Sequence, residues 1–241
     1  MRIAIHQPHY FPWLGYMNKM AKVDRFVLMD EVQLTDKSNM FRNQFLTKAG
    51  STRYLTVCFV KKGYMEKPFC EVELNPQVNW QKDHVNFLKD TYRKAPYFEE
   101  IWPHIEPLFE KKFSTLYEVD VESLTIIKNL LAIPTEIILQ SDLDYDRNTQ
   151  KNELVLSLCQ AAGADEYLSG NGARKYMDLE PFDQAGVHVE FQQFSHPVYP
   201  QIHSEEFVPN LSSLDLLFNC GIEQSRRLFH ENARQYHEFG E

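Results

Sequence analysis

Residues 1–30 read MRIAIHQPHYFPWLGYMNKMAKVDRFVLMD, and this stretch decides the fold. An apolar run from Ile3 leads to His6, and Pro8 and Pro12 shape a turn behind it. Leu14 to Lys22 then carries Leu14, Met17 and Met20 or Ala21 on one face, which is helical spacing. Phe26-Val27-Leu28-Met29 is a second apolar run, ending at Asp30. Strand, helix and strand in so short a space make a βαβ unit with a parallel pair. The first strand runs out into His6, Gln7, His9, Tyr10, Trp13 and Tyr16. In open α/β sheets, ligands bind beyond the carboxyl ends of strands. The cluster therefore stands where that rule expects chemistry.

Further on, Thr35 to Gln44 is polar and reads as a loop, and Tyr54 to Val60 is rich in strand formers. Phe69 to Leu74 reads as another strand. Helical patterns fill Trp80–Tyr92, Pro103–Lys112 and Leu116–Leu131, with Ser114 or Thr115 as a cap for the third. Strands follow at Thr135–Leu139, Glu166–Leu168 and Val187–Phe191, with a helix over Asn148–Ala162. A last helix over Leu211–Asn219 stops at Gly221 as its C-cap. The pattern predicts one α/β domain over residues 1–241. Its mostly parallel, Rossmann-like sheet is contributed by both ends of the chain, with a helical insertion over about 80–133.

The 241 residues are 43% hydrophobic and 24% charged, values of an ordinary globular chain. No apolar run approaches the ~18 residues of a membrane span, and no secretory leader is visible. A cytoplasmic protein without membrane insertion is expected. The net charge of −9 argues against duplex nucleic acid, whose phosphates call for a basic patch. A phosphate-bearing small molecule needs only a local basic site. Cys58, Cys70, Cys159 and Cys220 make no CxxC pair and read as buried reduced thiols. His6-x-x-His9 has no HExxH setting, so no metal site is expected. Oligomeric state is not legible.

Several constellations can carry chemistry. His6 and His9 are candidate acid/base groups, since imidazole moves protons near neutrality. Gln7 can read a hydroxyl or an amide, and Tyr10 belongs to the same cluster. Asp30, on the neighbouring strand, is expected to orient an imidazole and hold its tautomer. Lys37, Asn39, Arg42 and Asn43 form the best local anion site in an acidic chain. Ser169-Gly170-Asn171-Gly172 follows a strand and lets backbone amides approach a ligand, with Arg174 and Tyr176 just behind. It lacks the spacing of a P-loop. His196, Tyr199 and Gln201 can complete a site. Ser212 or Ser213 with Asp215 reads as a helix cap, and no GxSxG elbow supports a hydrolase.

The segments IHQPHYFPWLGY (5–16), LMDEVQ (28–33), MFRNQ (40–44), LSGNGARKYM (168–177) and PNLSSLDLLFNCG (209–221) resemble the WbqC-like protein family, in order and spacing, almost end to end. The resemblance implies a cytoplasmic bacterial protein that works on an unusual sugar of the O-antigen of lipopolysaccharide or another surface polysaccharide. A more distant similarity, in the strand, Gly15 and the βαβ unit, is to the adenylyl-transferring fold of pantothenate synthetases and class I aminoacyl-tRNA synthetases. Aligned on Gly15, Trp13 and Tyr16 stand where that HxGH motif has its histidines. The leading expectation is a transferase that places an acyl or aminoacyl group, such as glycyl, on the amine of a nucleotide-linked amino sugar. His6 or His9 would be its base, Asp30 the orienter, Asn171 and neighbouring amides an oxyanion or phosphate site. Arg42, Lys37 and Arg174 would grip the diphosphate. Whether ATP or an activated acyl donor drives the reaction is not legible in the sequence. The alternatives are a non-catalytic protein that holds a sugar intermediate or a partner, and a nucleotidyltransferase.

Overall fold

The computed structural model describes residues 1–35 and 39–235. Five strands form one parallel sheet: β1 (Arg2–His6), β2 (Arg25–Leu28), β5 (Glu136–Leu139), β6 (Glu166–Ser169) and β7 (His188–Phe191), in the order β5-β2-β1-β6-β7. The connections run outward from β1 in both directions. This is a doubly wound α/β sheet with its switch point between β1 and β6.

Both faces of the sheet are covered, and the strand period of two sorts the residues between them. Ala4, Phe26, Leu28 and Leu168 pack toward one core, whereas Ile3, Ile5, Val27 and Tyr167 pack toward the other. The first core is large. It takes in α1 (Leu14–Ala21) and three helices that precede β5: α2 (Trp80–Tyr92), α3 (Phe98–Glu110) and α4 (Leu116–Leu130). It also takes in the first half of α7 (Ser213–Gln235). The second core is smaller and lies under α5 (Lys151–Ala161) and α6 (Glu180–Gln184).

Three local readings are corrected. The polar run up to Gln44 enters a strand, β3 (Arg42–Leu46), which pairs antiparallel with β4 (Thr52–Thr56). Phe45 and Leu46 supply its buried side, and the polar Asn43 is drawn inward by backbone partners. Phe69–Glu71 is a single 3-10 turn, with only isolated bridges around it at Gln33–Pro68, Phe59–Leu74 and Glu73–Thr115. Helix α3 starts at Phe98, five residues ahead of Pro103, and holds Pro103 and Pro107 inside it. Its stripe of Phe98, Ile101, Trp102, Ile105, Leu108 and Phe109 is buried. That burial outweighs the ~3 kcal/mol or more that an interior proline costs a helix.

Gly221 does end a helical segment, in the left-handed region at φ 71°. A second segment then runs to Gln235, so α7 is two helices joined at a kink. Glu100 Oε1 accepts the Ile222 N–H at 3.2 Å and caps the second segment. A Cβ at Gly221 would come within 2.5 Å of the Tyr97 ring. Both the backbone angle and the packing therefore require glycine there.

Candidate functional site

The site begins with a gap in the sheet. β1 and β6 pair only at Arg2–Glu166 and Ile3–Tyr167, then splay apart. The His6 carbonyl faces β2, where it accepts the Met29 N–H at 3.0 Å. By the alternation of a strand, the Ile5 carbonyl faces the gap, where β6 offers it no partner. Lys19 of α1 supplies one: its Nζ donates to Ile5 O at 3.0 Å, and the residue is 3% exposed. Above this point opens a cleft of about 570 Å³. Its walls are His6, Tyr16 and Lys19 on one side, the Gly170–Gly172 turn after β6 on another, and Gln192 to Phe194 after β7. Gln192 ties the far wall to α1, donating to Gly15 O at 2.8 Å and Asn18 Oδ1 at 3.1 Å.

His6, His9 and Tyr16 form one ring cluster, with centroids 4.7 to 5.0 Å apart. His6 Nδ1 lies 3.0 Å from Gln7 O. A carbonyl only accepts, so Nδ1 carries the proton and Nε2 keeps its lone pair. Tyr16 donates its hydroxyl to the same carbonyl at 3.1 Å.

Burial pushes the Lys19 amine down from 10.5 to about 7. Burial, and then the Lys19 charge, bring His9 from 6.5 to about 3. His6 is likewise held well below its ordinary value, by burial, then by Lys19 and His9, against the bond to Gln7 O. At neutral pH the site thus holds two neutral imidazoles and an amine poised between its two states.

The sequence model of the WbqC-like protein family matches residues 7–227. The chain belongs to the WbqC-like protein family. It is also 34% identical over 224 residues to the uncharacterized protein Rv1507c of Mycobacterium tuberculosis, covering 92% of this chain and 95% of that one. No solved structure matches the chain. Among the described residues, no helix is long and apolar enough to cross a membrane. Among the described residues, no cluster of three or more His, Cys, Asp or Glu is placed to hold a metal ion.

In this WbqC-like protein the expected residues divide. His6, Gly170 and Asn171 stand on the Lys19 cleft. Gln7 and Tyr176 line a second opening, on the other face of the sheet. His9 is 8% exposed and packs behind His6 and Tyr16, so it positions those rings and does not face the cleft. Ser169 is 1% exposed, and strand alternation puts its side chain on the Tyr167 face. Arg174 lays its guanidinium over Phe191 at 4.7 Å. Lys37 lies outside the described residues.

The expected Asp30–His6 pair does not form. Asp30 accepts from Ser141 N at 3.0 Å and Ser141 Oγ at 2.7 Å. Register explains it: Leu28 pairs with Leu139 of β5, so Ser141 comes level with Asp30, while His6 sits opposite Leu28. The expected anion loop is also largely framework. Asn43 donates to the carbonyls of Tyr10 and Phe11 at 3.1 and 2.7 Å, and the Asn39 carbonyl accepts the Tyr10 N–H at 3.1 Å. Tyr10 is fully buried against His84, and Arg42 stacks on Tyr54 at 4.2 Å. His196 is bonded to Asn210 at 3.0 Å and packs on Trp13 and Phe194, the aromatic edge of the cleft.

At the HxGH positions, the Trp13 indole covers Gly15, where a Cβ would meet it at 2.2 Å. Tyr16 has its hydroxyl on Gln7 O. Neither side chain offers a cation to a phosphate. Gly170 and Gly172 are different from Gly15: a Cβ at either would meet nothing within 4 Å, and neither has a positive φ. Among the described residues nothing demands glycine at these two positions, and both open onto the cleft.

Lys19 and Gln192 were not legible as site residues from pattern alone. One signal for Lys19 does exist: it lies three and four residues after Tyr16 and Gly15, on the helical face that carries them.

Tyr199 belongs to a buried network away from the cleft. Asp215 accepts from Tyr92 at 2.8 Å, Tyr199 at 3.1 Å and Gln201 at 2.8 Å. Burial still holds its carboxyl above the ordinary value. Ser212 and Ser213 donate to the Phe11 and Pro12 carbonyls, so this network anchors the loop after β1 to α7. Tyr199→Phe is expected to lower stability by about 1–2 kcal/mol in urea melts. Ligand affinity at the Lys19 cleft should stay unchanged, and a large loss of affinity would return Tyr199 to the site.

Proposed function

We propose that this WbqC-like protein is a transferase of surface-polysaccharide synthesis. It acylates the amine of a nucleotide-linked amino sugar with an acyl or aminoacyl group such as glycyl. The observation that carries the reading is Lys19, an amine with a pKa of about 7 at the foot of a cleft at the switch point. An acid/base group works best when its pKa lies near the working pH.

In the reaction, the sugar nitrogen attacks the carbonyl carbon of an activated acyl donor, an ester, thioester or mixed anhydride. A carbon–nitrogen bond forms, and the leaving group departs with its electron pair. Lys19 Nζ in its neutral form takes the proton released by the attacking nitrogen. His6 Nε2, whose lone pair is free of the Gln7 bond, accepts a hydrogen bond from the amine and orients it. Asn171 and the open backbone beside Gly170 and Gly172 leave room for the acyl oxygen.

The test is incubation of the full chain with UDP- and dTDP-linked amino sugars and glycyl or acyl thioesters, read by mass spectrometry. A sugar nucleotide heavier by one acyl group, formed by the wild type and not by Lys19→Met, supports the reading. Thermal shifts accompany it, because a ligand at about 100 times its Kd adds roughly 2.7 kcal/mol. Binding without product would assign the chain to holding the intermediate. Neither binding nor product would overturn the reading.

A further inference from the structure

We infer that the nucleoside of the substrate lies on the opposite face of the sheet from Lys19, in a second cleft of about 1020 Å³, with its base against Tyr176. The inference rests on the transferase reading above and adds where the nucleotide sits. Residues adjacent in the chain line the two clefts and form the ridge between them. His6 lines the first and Gln7 the second; Gly172 lines the first and Ala173 the second. A sugar nucleotide laid over that ridge can put its amine beside Lys19 and its base on the far side.

The chemistry of the second cleft suits a flat heterocycle. Met29, Val32, Leu154, Tyr167 and Met177 give it apolar walls. Tyr176 lines the same cleft and is 75% exposed, a large aromatic side chain left outside both cores. Every nucleobase has a π-face for such a ring, and thioethers pack well on aromatic edges. Gln7 and Asn152 supply amide donors and acceptors of the kind that read the polar edge of a base. Lys151 and Glu153, both exposed, line the same cleft with opposite charges. The Lys19 cleft also has an aromatic edge, of Trp13, Tyr16 and Phe194, but differs in size and in its polar groups. It is smaller, and its functional groups are an amine, an imidazole and side-chain amides.

Isothermal titration of UDP, dTDP and ADP into the full chain tests this without any sugar or acyl donor. At least one nucleoside diphosphate is expected to bind. Tyr176→Ala should weaken it about tenfold or more, and Tyr176→Phe, which keeps the ring, should restore it. Tyr176 is exposed, so equal melting curves for the three proteins are expected and rule out a folding defect. Equal affinity in Tyr176→Ala would overturn the placement and leave the transferase reading standing. No binding of any of the three at millimolar concentration would overturn it as well. Tyr176-dependent binding together with failure of the acyl-transfer assay would uphold the nucleoside site and remove only the reaction.

Discussion

Lys19→Met is expected to make the protein more stable at pH 7 while abolishing the proposed acyl transfer. The lysine pKa falls from 10.5 to about 7 on folding. Between those values the unfolded chain holds a proton that the folded chain has shed. Stability therefore rises with pH across that window, and the burial of Lys19 costs most at and below pH 7. One pKa unit corresponds to about 1.36 kcal/mol, so at pH 7 the penalty is on the order of 4 kcal/mol. Methionine carries no such penalty, but it leaves the Ile5 carbonyl without its donor, a loss of about 1–2 kcal/mol. The net gain is roughly 2–3 kcal/mol at pH 7. It should disappear as pH rises through the unfolded lysine value, where only the lost hydrogen bond remains. Urea midpoints of both proteins at pH 7 and near pH 10.5 check this. A variant that is less stable at both would mean that Lys19 is a structural post. Stability given up for a poised group is the usual mark of a functional site.

Lys19 also illustrates where the sequence stops being readable. A lysine between Met17 and Met20 in a short helix ordinarily reads as a solvated side chain. It is drawn inside because β6 turns away from β1 after two pairs and strands the Ile5 carbonyl. That depends on β6, which begins only at Glu166, and no local pattern carries it. Asp30 fails for a related reason. Its partner is set by β5 lying beside β2, which brings Ser141 to it across a parallel register. The βαβ unit was legible because Ile3, Ile5, Phe26 and Leu28 are apolar in a region bounded by proline and polar turns, and parallel strands buried on both faces leave that trace. β3 was not. Its Asn43 is buried to hold the Tyr10–Phe11 loop, so a structural amide looked like a ligand-binding one. His6 and Gly170–Gly172 line the cleft, a position the strand-end rule reaches from the direction of each strand and its last residue.

Acid is expected to destabilise the fold from pH 6.5 downward, well before ordinary carboxylates titrate. His9 and His84 fall from 6.5 to about 3 and about 4 on folding, and His6 falls well below its ordinary value. Burial is the first cause in all three. His84 is fixed neutral by its bonds, with Nε2 donating to Thr56 O at 3.2 Å and Nδ1 accepting from Tyr10 Oη at 2.9 Å. As pH falls below 6.5 the unfolded chain takes up protons at these three imidazoles that the folded chain refuses, each refusal costing up to about 1.4 kcal/mol per pH unit, and the half-buried His196, also lowered by burial, acts in the same direction. Two buried carboxyls push the other way. Asp120 is fully buried, and its pKa is raised well above 3.8 by that burial; Asp215 is raised as well. Below their raised values the folded acids hold protons the unfolded acids lack, so their contribution improves as pH falls toward 3.8. The imidazoles outnumber them, which leaves a net loss on the order of 1–2 kcal/mol per pH unit, a large share of a typical 5–15 kcal/mol total. Urea melts at pH 7, 6 and 5 would register it. His84→Gln, remote from both clefts, should lower stability at pH 7 yet flatten the pH dependence by about one proton's worth. Asp120→Asn should do the reverse, raising stability at pH 7 and steepening the acid loss. If His84→Gln leaves the slope untouched, the buried imidazoles are not what the fold loses to acid.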